Sequence, residues 1–143
     1  MKLYFDTPYV AKCYLKENDS QAVRNLAYAS SGLCSSSWCI PEMACLFQRQ
    51  IREFKVPTAQ VIRARDFFLE DLQSGVWTML PISEPFLVRV ASFVAALPPA
   101  LYLRAGDAIH LTAAQEAGFT EIWSNDRRLI EAAPAFGLIG KSA

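Results

Sequence analysis

Histidine is almost missing from this chain: its 143 residues include one, His110. A single imidazole excludes His-rich metal chemistry and leaves little room for a histidine-based catalytic centre. Cysteine is nearly as scarce. Cys13, Cys34, Cys39 and Cys45 show no C-x-x-C spacing and have no histidine near them in sequence, so they read as buried apolar residues of a reducing compartment rather than as zinc ligands or disulfide partners. An excess of one charge is also lacking, since 14 lysines and arginines face 14 aspartates and glutamates. Net charge therefore points to no polyanionic partner, and any nucleic-acid site has to use locally clustered arginines. A membrane span is missing too: the longest apolar region, Phe86 to Leu103, contains Arg89 and the pair Pro98-Pro99. Asp6 and Lys12 interrupt the apolar N-terminal run, so no secretory signal is expected and a cytoplasmic location is the expectation. There is no internal repeat, low-complexity tract or interdomain linker.

What remains is a chain suited to one well-packed domain, residues 1–143. It is 52% hydrophobic and 20% charged, which supports a substantial core, and a chain of this size buries roughly 68–70% of its unfolded surface.

The periodicity alternates between strands and helices. Leu3-Tyr4-Phe5 is a compact apolar strand ending at Asp6, and Thr7-Pro8 starts a helix with Val10, Ala11, Tyr14 and Leu15 inward. A second helix runs through Val23, Leu26 and Ala27, and a weak strand covers Leu33 to Ser37. Pro41-Glu42 opens a third helix with Ala44, Phe47 and Ile51 inward. Thr58 caps a fourth, with Val61, Ala64, Phe68 and Leu72 inward, and these two helices read as a hairpin beside the sheet. Val76 to Leu80 is the best strand by residue type. Ser83-Glu84-Pro85 starts a helix carrying Leu87, Val90, Ala91, Val94 and Ala95 at helical spacing. Asp107 opens the next helix, which Gly118 suits as an end. Ile122-Trp123 is a short strand delivering Asp126, Arg127 to Ala133 a short helix, and Phe136 to Ile139 a final strand. Such alternation implies an α/β fold: a mainly parallel central sheet covered by helices on both faces, with the helical hairpin at its side.

Four acids fall at equivalent places in that scheme. Asp6 and Asp126 close strands, while Glu42 and Asp107 open helices. In a parallel sheet these positions share one edge, where such folds place their ligands. Four carboxylates there suit a hard divalent cation, Mg²⁺ or Mn²⁺, which prefers oxygen ligands. Two unit charges ~4 Å apart repel by about 4 kcal/mol at an effective dielectric near 20. Without a cation the rim would spread or take up protons. Each acid also has a plainer use. Asp6, Asp107 and Asp126 suit helix caps worth about 1 kcal/mol each, and Glu42 suits the favourable end of a helix dipole. Independent caps have no reason to converge on one edge, so convergence favours a shared site.

The sequence resembles the PIN-domain ribonucleases, most closely the toxin members of VapBC-type toxin–antitoxin pairs. The matching pieces are Leu3-Tyr4-Phe5-Asp6-Thr7, Pro41-Glu42, Leu103 to Leu111 with Asp107 at its centre, and Trp123-Ser124-Asn125-Asp126. Carried over by position, the family's acidic quartet falls on Asp6, Glu42, Asp107 and Asp126, and its neighbouring hydroxyls on Thr7 and Ser124. Pro8 departs from the Ser or Asn that many relatives have. The resemblance implies a metal-dependent endoribonuclease in which the four acids hold Mg²⁺ or Mn²⁺ and Thr7 and Ser124 fix carboxylate rotamers.

Around the rim, Arg104 either touches phosphate or pairs with an acid. Arg127 and Arg128, with Arg49 and Arg52 from the hairpin, are candidate phosphate contacts. His110, one turn beyond Asp107, reads as a packing and hydrogen-bonding residue. The hairpin from Ala44 to Leu72 holds more large apolar side chains than one stripe needs, among them Leu46, Phe47, Phe54, Phe67, Phe68 and Leu69. The surplus reads either as an interface or as a hairpin buried on two sides within one molecule; by resemblance it serves homodimerisation and docking of an antitoxin segment. The competing readings are an inert PIN-like module that binds RNA or protein without cutting, and an aspartyl-phosphate enzyme using Asp6. The second is weakened by Pro8, where that chemistry wants another Asp.

Overall fold

The alternation of β1 (Lys2–Tyr4) and the residue after it divides the molecule in two. Leu3 and Phe5 enter one buried cluster with Tyr9, Val10, Met43, Phe47 and Phe68, while Tyr4 enters another with Phe86, Ile109, Leu111, Ile122 and Phe136. Successive strand side chains point to opposite faces, so the two cores lie on the two sides of the sheet. The computed structural model describes residues 1–143.

In chain order β1 is followed by α1 (Thr7–Lys12), α2 (Ser20–Ala29), β2 (Gly32–Ser36), α3 (Cys39–Arg52), α4 (Thr58–Gln73) and β3 (Trp77–Leu80). Then come α5 (Glu84–Ala95), α6 (Ala105–Glu116), β4 (Glu121–Trp123), α7 (Arg127–Ala132), a 3₁₀ turn at Ala133–Phe136, and β5 (Ile139–Lys141). β1 pairs with β2, β2 with β3, and β4 with β5, all parallel. A parallel bridge between Phe5 and Trp123 joins the two groups of strands, with the Asp6 amide donating to the Trp123 carbonyl at 3.2 Å. That junction sets Asp6 beside the end of β4. The expected parallel α/β fold with helices on both faces is the one observed, and α3 and α4 form the hairpin.

Several local expectations are corrected. On α3 the buried residues are Cys39, Met43 and Phe47, at spacings of four, and Ala44 is exposed. On α5 the buried face is Phe86 and Val90, with Phe93 half-buried. Leu87, Ala91, Val94 and Ala95 stay outside. α1 stops at Lys12, so Leu15 is buried from beyond the helix and Tyr14 is half-buried. Thr58 is the first residue of α4 rather than its cap; Pro57 holds that position and Lys55 turns the chain at φ 55°. The last strand starts at Ile139, because Phe136 belongs to the 3₁₀ turn that Gly137 closes at φ 70°. Gly118, at φ 82°, does follow the end of α6. Cys45 is exposed, Cys34 and Cys39 are buried, and all four thiols are free. No helix is long and apolar enough to cross a membrane.

Candidate active site at the carboxyl edge of the sheet

The four acids reach the edge by two local devices, each used twice. Asp6 follows β1 in an extended conformation and caps α1, its Oδ1 accepting from the Tyr9 amide at 3.0 Å. Asp126 follows β4 and caps α7, its Oδ1 accepting from the Arg128 amide at 2.9 Å. Glu42 lies in the first turn of α3. Asp107 lies in the first turn of α6, which starts at Ala105 and has Arg104 at its cap position without a side-chain cap. The cap reading thus describes one oxygen each of Asp6 and Asp126 and fails for Asp107.

All four line a single cavity of about 250 Å³ together with Thr7, Pro8, Arg104, Gly106 and His110. Apart from Pro8 and Gly106, every lining residue is polar or charged. A larger cavity of about 330 Å³ lies against α2, α4 and β3, but its one acid, Asp71, is engaged by the Tyr14 hydroxyl at 2.6 Å.

The hydroxyl residues lie between the acids. Thr7 Oγ1 donates to Glu42 Oε1 at 2.7 Å. Ser124 Oγ donates to Asp6 Oδ2 and accepts from the Asp126 amide at 2.9 Å, so one hydroxyl ties the positions of two acids. Asn125 donates to Asp19, whose other oxygen is paired with Lys12 at 2.6 Å, and this anchors the turn before Asp126 against the start of α2. On the other side Arg104 spans the cavity mouth, with Nε 3.2 Å from Asp107 Oδ2 and a terminal nitrogen 2.8 Å from Asp126 Oδ2. Of the two alternatives for Arg104, pairing with acids is the one observed. Arg127 points away into an ion pair with Glu131 at 2.9 Å, and Arg128 stacks on Tyr102, 3.7 Å from the ring centroid.

Burial pushes the Asp6 carboxyl up to about 6; hydrogen bonds from Ser124 and the Tyr9 amide and the nearness of His110 oppose this, while Asp107 adds to it. Glu42 goes the other way. Burial would raise its carboxyl, but hydrogen bonds from His110 and Thr7, with the charge of Arg104, outweigh it and hold the group below its ordinary value. Asp6 thus takes up a proton chiefly because it is buried, with a smaller contribution from Asp107, while the Arg104 bridge offsets the charges of Asp107 and Asp126.

The donor set consists of carboxylate oxygens and suits Mg²⁺ or Mn²⁺. Gly106 leaves the space this needs, since a Cβ there would stand 3.0 Å from Glu42 Oε2. As they stand, no three carboxylate, histidine or cysteine side chains are grouped closely enough to grip one ion between them. The acids share a cavity without sharing a point.

The PIN domain family model matches residues 3–134. The chain belongs to the PIN domain family. Solved structures agree with that fold. VapBC2 from Rickettsia felis bound to a promoter DNA fragment is 14% identical, with 100% of this chain and 99% of that chain covered and a TM-score of 0.69. Mycobacterium tuberculosis VapC20, a Sarcin-Ricin loop cleaving toxin, is 11% identical over 91% of this chain and 94% of that one, with a TM-score of 0.68. FitAB bound to the IR36 DNA fragment is 14% identical over 99% and 94%, with a TM-score of 0.67. At such identities the likeness concerns the fold. No curated protein sequence matches.

Within this PIN domain two features of the cavity escaped the sequence. One is the double engagement of Arg104. The other is the partner of His110: the side chain is buried and hydrogen-bonded, as its sequence position suggests, but the acid its Nε2 reaches, Glu42 Oε1 at 2.9 Å, is not evident from that position. The available signal was the i+3 spacing of His110 from Asp107, which places both on one side of α6.

Proposed function

We propose that the chain is a metal-dependent endoribonuclease that hydrolyses RNA phosphodiester bonds as the toxin of a toxin–antitoxin pair. The observation that carries this is the convergence of Asp6, Glu42, Asp107 and Asp126, from four separate parts of the chain, on one oxygen-lined cavity of a PIN domain. These four residues would hold Mg²⁺ or Mn²⁺ directly or through water. Such an ion supplies an acidified water and charge to offset that gathering on the phosphoryl oxygens.

The chain's own residues do the rest. Ser124 keeps Asp6 and the Asp126 backbone in register, and Thr7 orients Glu42. Arg104, with its side chain 61% exposed, is free to leave an acid for a phosphate oxygen of bound RNA. Arg127, 90% exposed and paired only at the surface, is a further phosphate contact outside the cavity. A cytoplasmic location goes with this role and with four free thiols.

The similar VapBC2 and FitAB structures support a cognate antitoxin as partner. Phe54, Phe67 and Leu69 of the hairpin are exposed, as the apolar surplus there anticipates, and offer a surface for it. Leu87, Ala91, Val94 and Ala95 form an apolar groove with Leu103 and Ala105, which suits a homodimer.

RNA cleavage in the presence of Mg²⁺ or Mn²⁺, lost on chelation and in Asp6→Asn and Asp107→Asn, is the expected result. Cleavage that persists in both variants overturns the metal-site mechanism. One observation favours an inert binding module instead: Arg104 already engages two of the four acids. RNA binding without cleavage by the metal-loaded wild type would establish that reading.

A further inference from the structure

Glu42 enters the cavity from α3, yet the groups that hold it belong to other elements. Its Oε1 accepts from Thr7 Oγ1 at 2.7 Å and lies 2.9 Å from His110 Nε2. An ionised carboxylate only accepts, so Nε2 must carry a hydrogen there. His110 is 2% exposed, and its other nitrogen, Nδ1, is 2.8 Å from the hydroxyl of Tyr4. Tyr4 is fully buried in β1, packs edge-on to the imidazole at 5.9 Å, and is packed in turn by Phe119 at 5.6 Å. Nε2 also lies 3.0 Å from Thr7 Oγ1, so turning the imidazole would break three polar contacts. Glu42 Oε2 is in the opposite situation. It faces Gly106, where a Cβ would stand 3.0 Å away, and lines the cavity.

We propose that Tyr4 and His110 are positioning residues that divide the two oxygens of Glu42 between tasks, committing Oε1 to the protein and presenting Oε2 to the metal ion. The inference rests on the reading of the cavity as a metal site. It assigns His110 more than packing: a carboxylate held in one rotamer before binding loses less side-chain freedom when the ion arrives. It also makes β1 the common reference for two acids. The strand sets Asp6 directly at its end, and sets Glu42 through Tyr4, His110 and Thr7.

The test is Mn²⁺ binding to the full chain without RNA, measured by calorimetry. His110→Leu should weaken binding by about 10- to 100-fold, the usual effect of losing a partner that orients a ligand. His110→Gln, which keeps an N–H at the same reach, should recover most of that loss, and Tyr4→Phe should fall between wild type and His110→Leu. In a Glu42→Gln background, His110→Leu should change affinity little, because its effect passes through Glu42. Equal binding by wild type and His110→Leu overturns the proposal. So does His110→Gln no better than His110→Leu, or an undiminished loss in the Glu42→Gln background. If His110→Leu does not fold, Tyr4→Phe and His110→Gln decide: weaker binding by Tyr4→Phe with near-normal binding by His110→Gln supports the clamp, and wild-type affinity in Tyr4→Phe overturns it. A wild type that binds no Mn²⁺ overturns the metal-site reading itself, a result distinct from normal binding that ignores His110.

Discussion

The two sides of the acidic cavity are built on different principles. Asp6 and Glu42 are held from within, by a backbone amide, two hydroxyls and an imidazole that are themselves buried or nearly so. Asp107 and Asp126 are joined across the mouth by Arg104, a long side chain that is 61% exposed. The first side keeps its geometry whatever occupies the cavity. The second is balanced by a charge that solvent, an ion or a phosphate can replace at little cost, since exposed ion pairs contribute at most about 1 kcal/mol. A rim of like charges is thus kept in place by short buried donors on one side and by one long, movable guanidinium on the other.

The largest expected effect that sharpens this contrast is on pH-dependent stability. Folded Asp6 keeps its proton up to about pH 6, against an ordinary value of 3.8. Between those values the folded state binds more protons than the unfolded chain, so metal-free protein should lose stability as pH rises through that window, by roughly 3 kcal/mol from this group. Asp6→Asn, which retains a capping oxygen, should remove that slope in thermal melts recorded with chelator. A wild-type slope equal to that of the variant would show that burial of Asp6 carries no such cost.

Next in size, Ser124→Ala should raise the Asp6 carboxyl further, because the lost hydrogen bond favours the charged form. Cleavage should fall by about 10- to 100-fold with its acidic limb moved to higher pH; a pH–rate profile checks this. Gly106→Ala replaces a glycine in the first turn of α6, a change that by itself stabilises by at most about 1 kcal/mol. Here the new Cβ meets Glu42 Oε2 at 3.0 Å, so Mn²⁺ affinity should drop several-fold while the melting temperature holds or rises. If affinity is unchanged, Oε2 is not the oxygen presented to the ion.

The smallest effect belongs to the side that Arg104 closes. Arg104→Gln should lower the stability of the metal-free protein by no more than about 1 kcal/mol at low salt, while the stabilisation conferred by Mg²⁺ grows, since the ion no longer competes with a guanidinium. A drop as large as that for a buried pair would mean that the two sides are equally rigid.

Much of this was legible in the residues themselves. A strand of alternating apolar side chains ending in Asp6, a Pro in the first helical turn, and short helices between short strands lead to a parallel α/β fold and put the acids at one edge. Helix faces were less legible. α5 is apolar on both sides, so its periodicity fits the stripe through Leu87, Ala91 and Val94 as well as the buried one through Phe86 and Val90. The choice belongs to whatever packs against it. On α3, likewise, Met43 rather than Ala44 fills the space between Cys39 and Phe47.

What the sequence alone determined is therefore the fold class, the family resemblance and which acids line one edge, because hydrophobic period and chain order are local and directional. Only the tertiary structure decided which oxygen of each acid is committed, that Arg104 bridges two of them, and that Tyr4 reaches Glu42 through His110. Outside the cap bonds and the Arg104–Asp107 pair, which are local, those contacts join residues 22 to 118 positions apart, and no local preference encodes an angle or a distance across such separations.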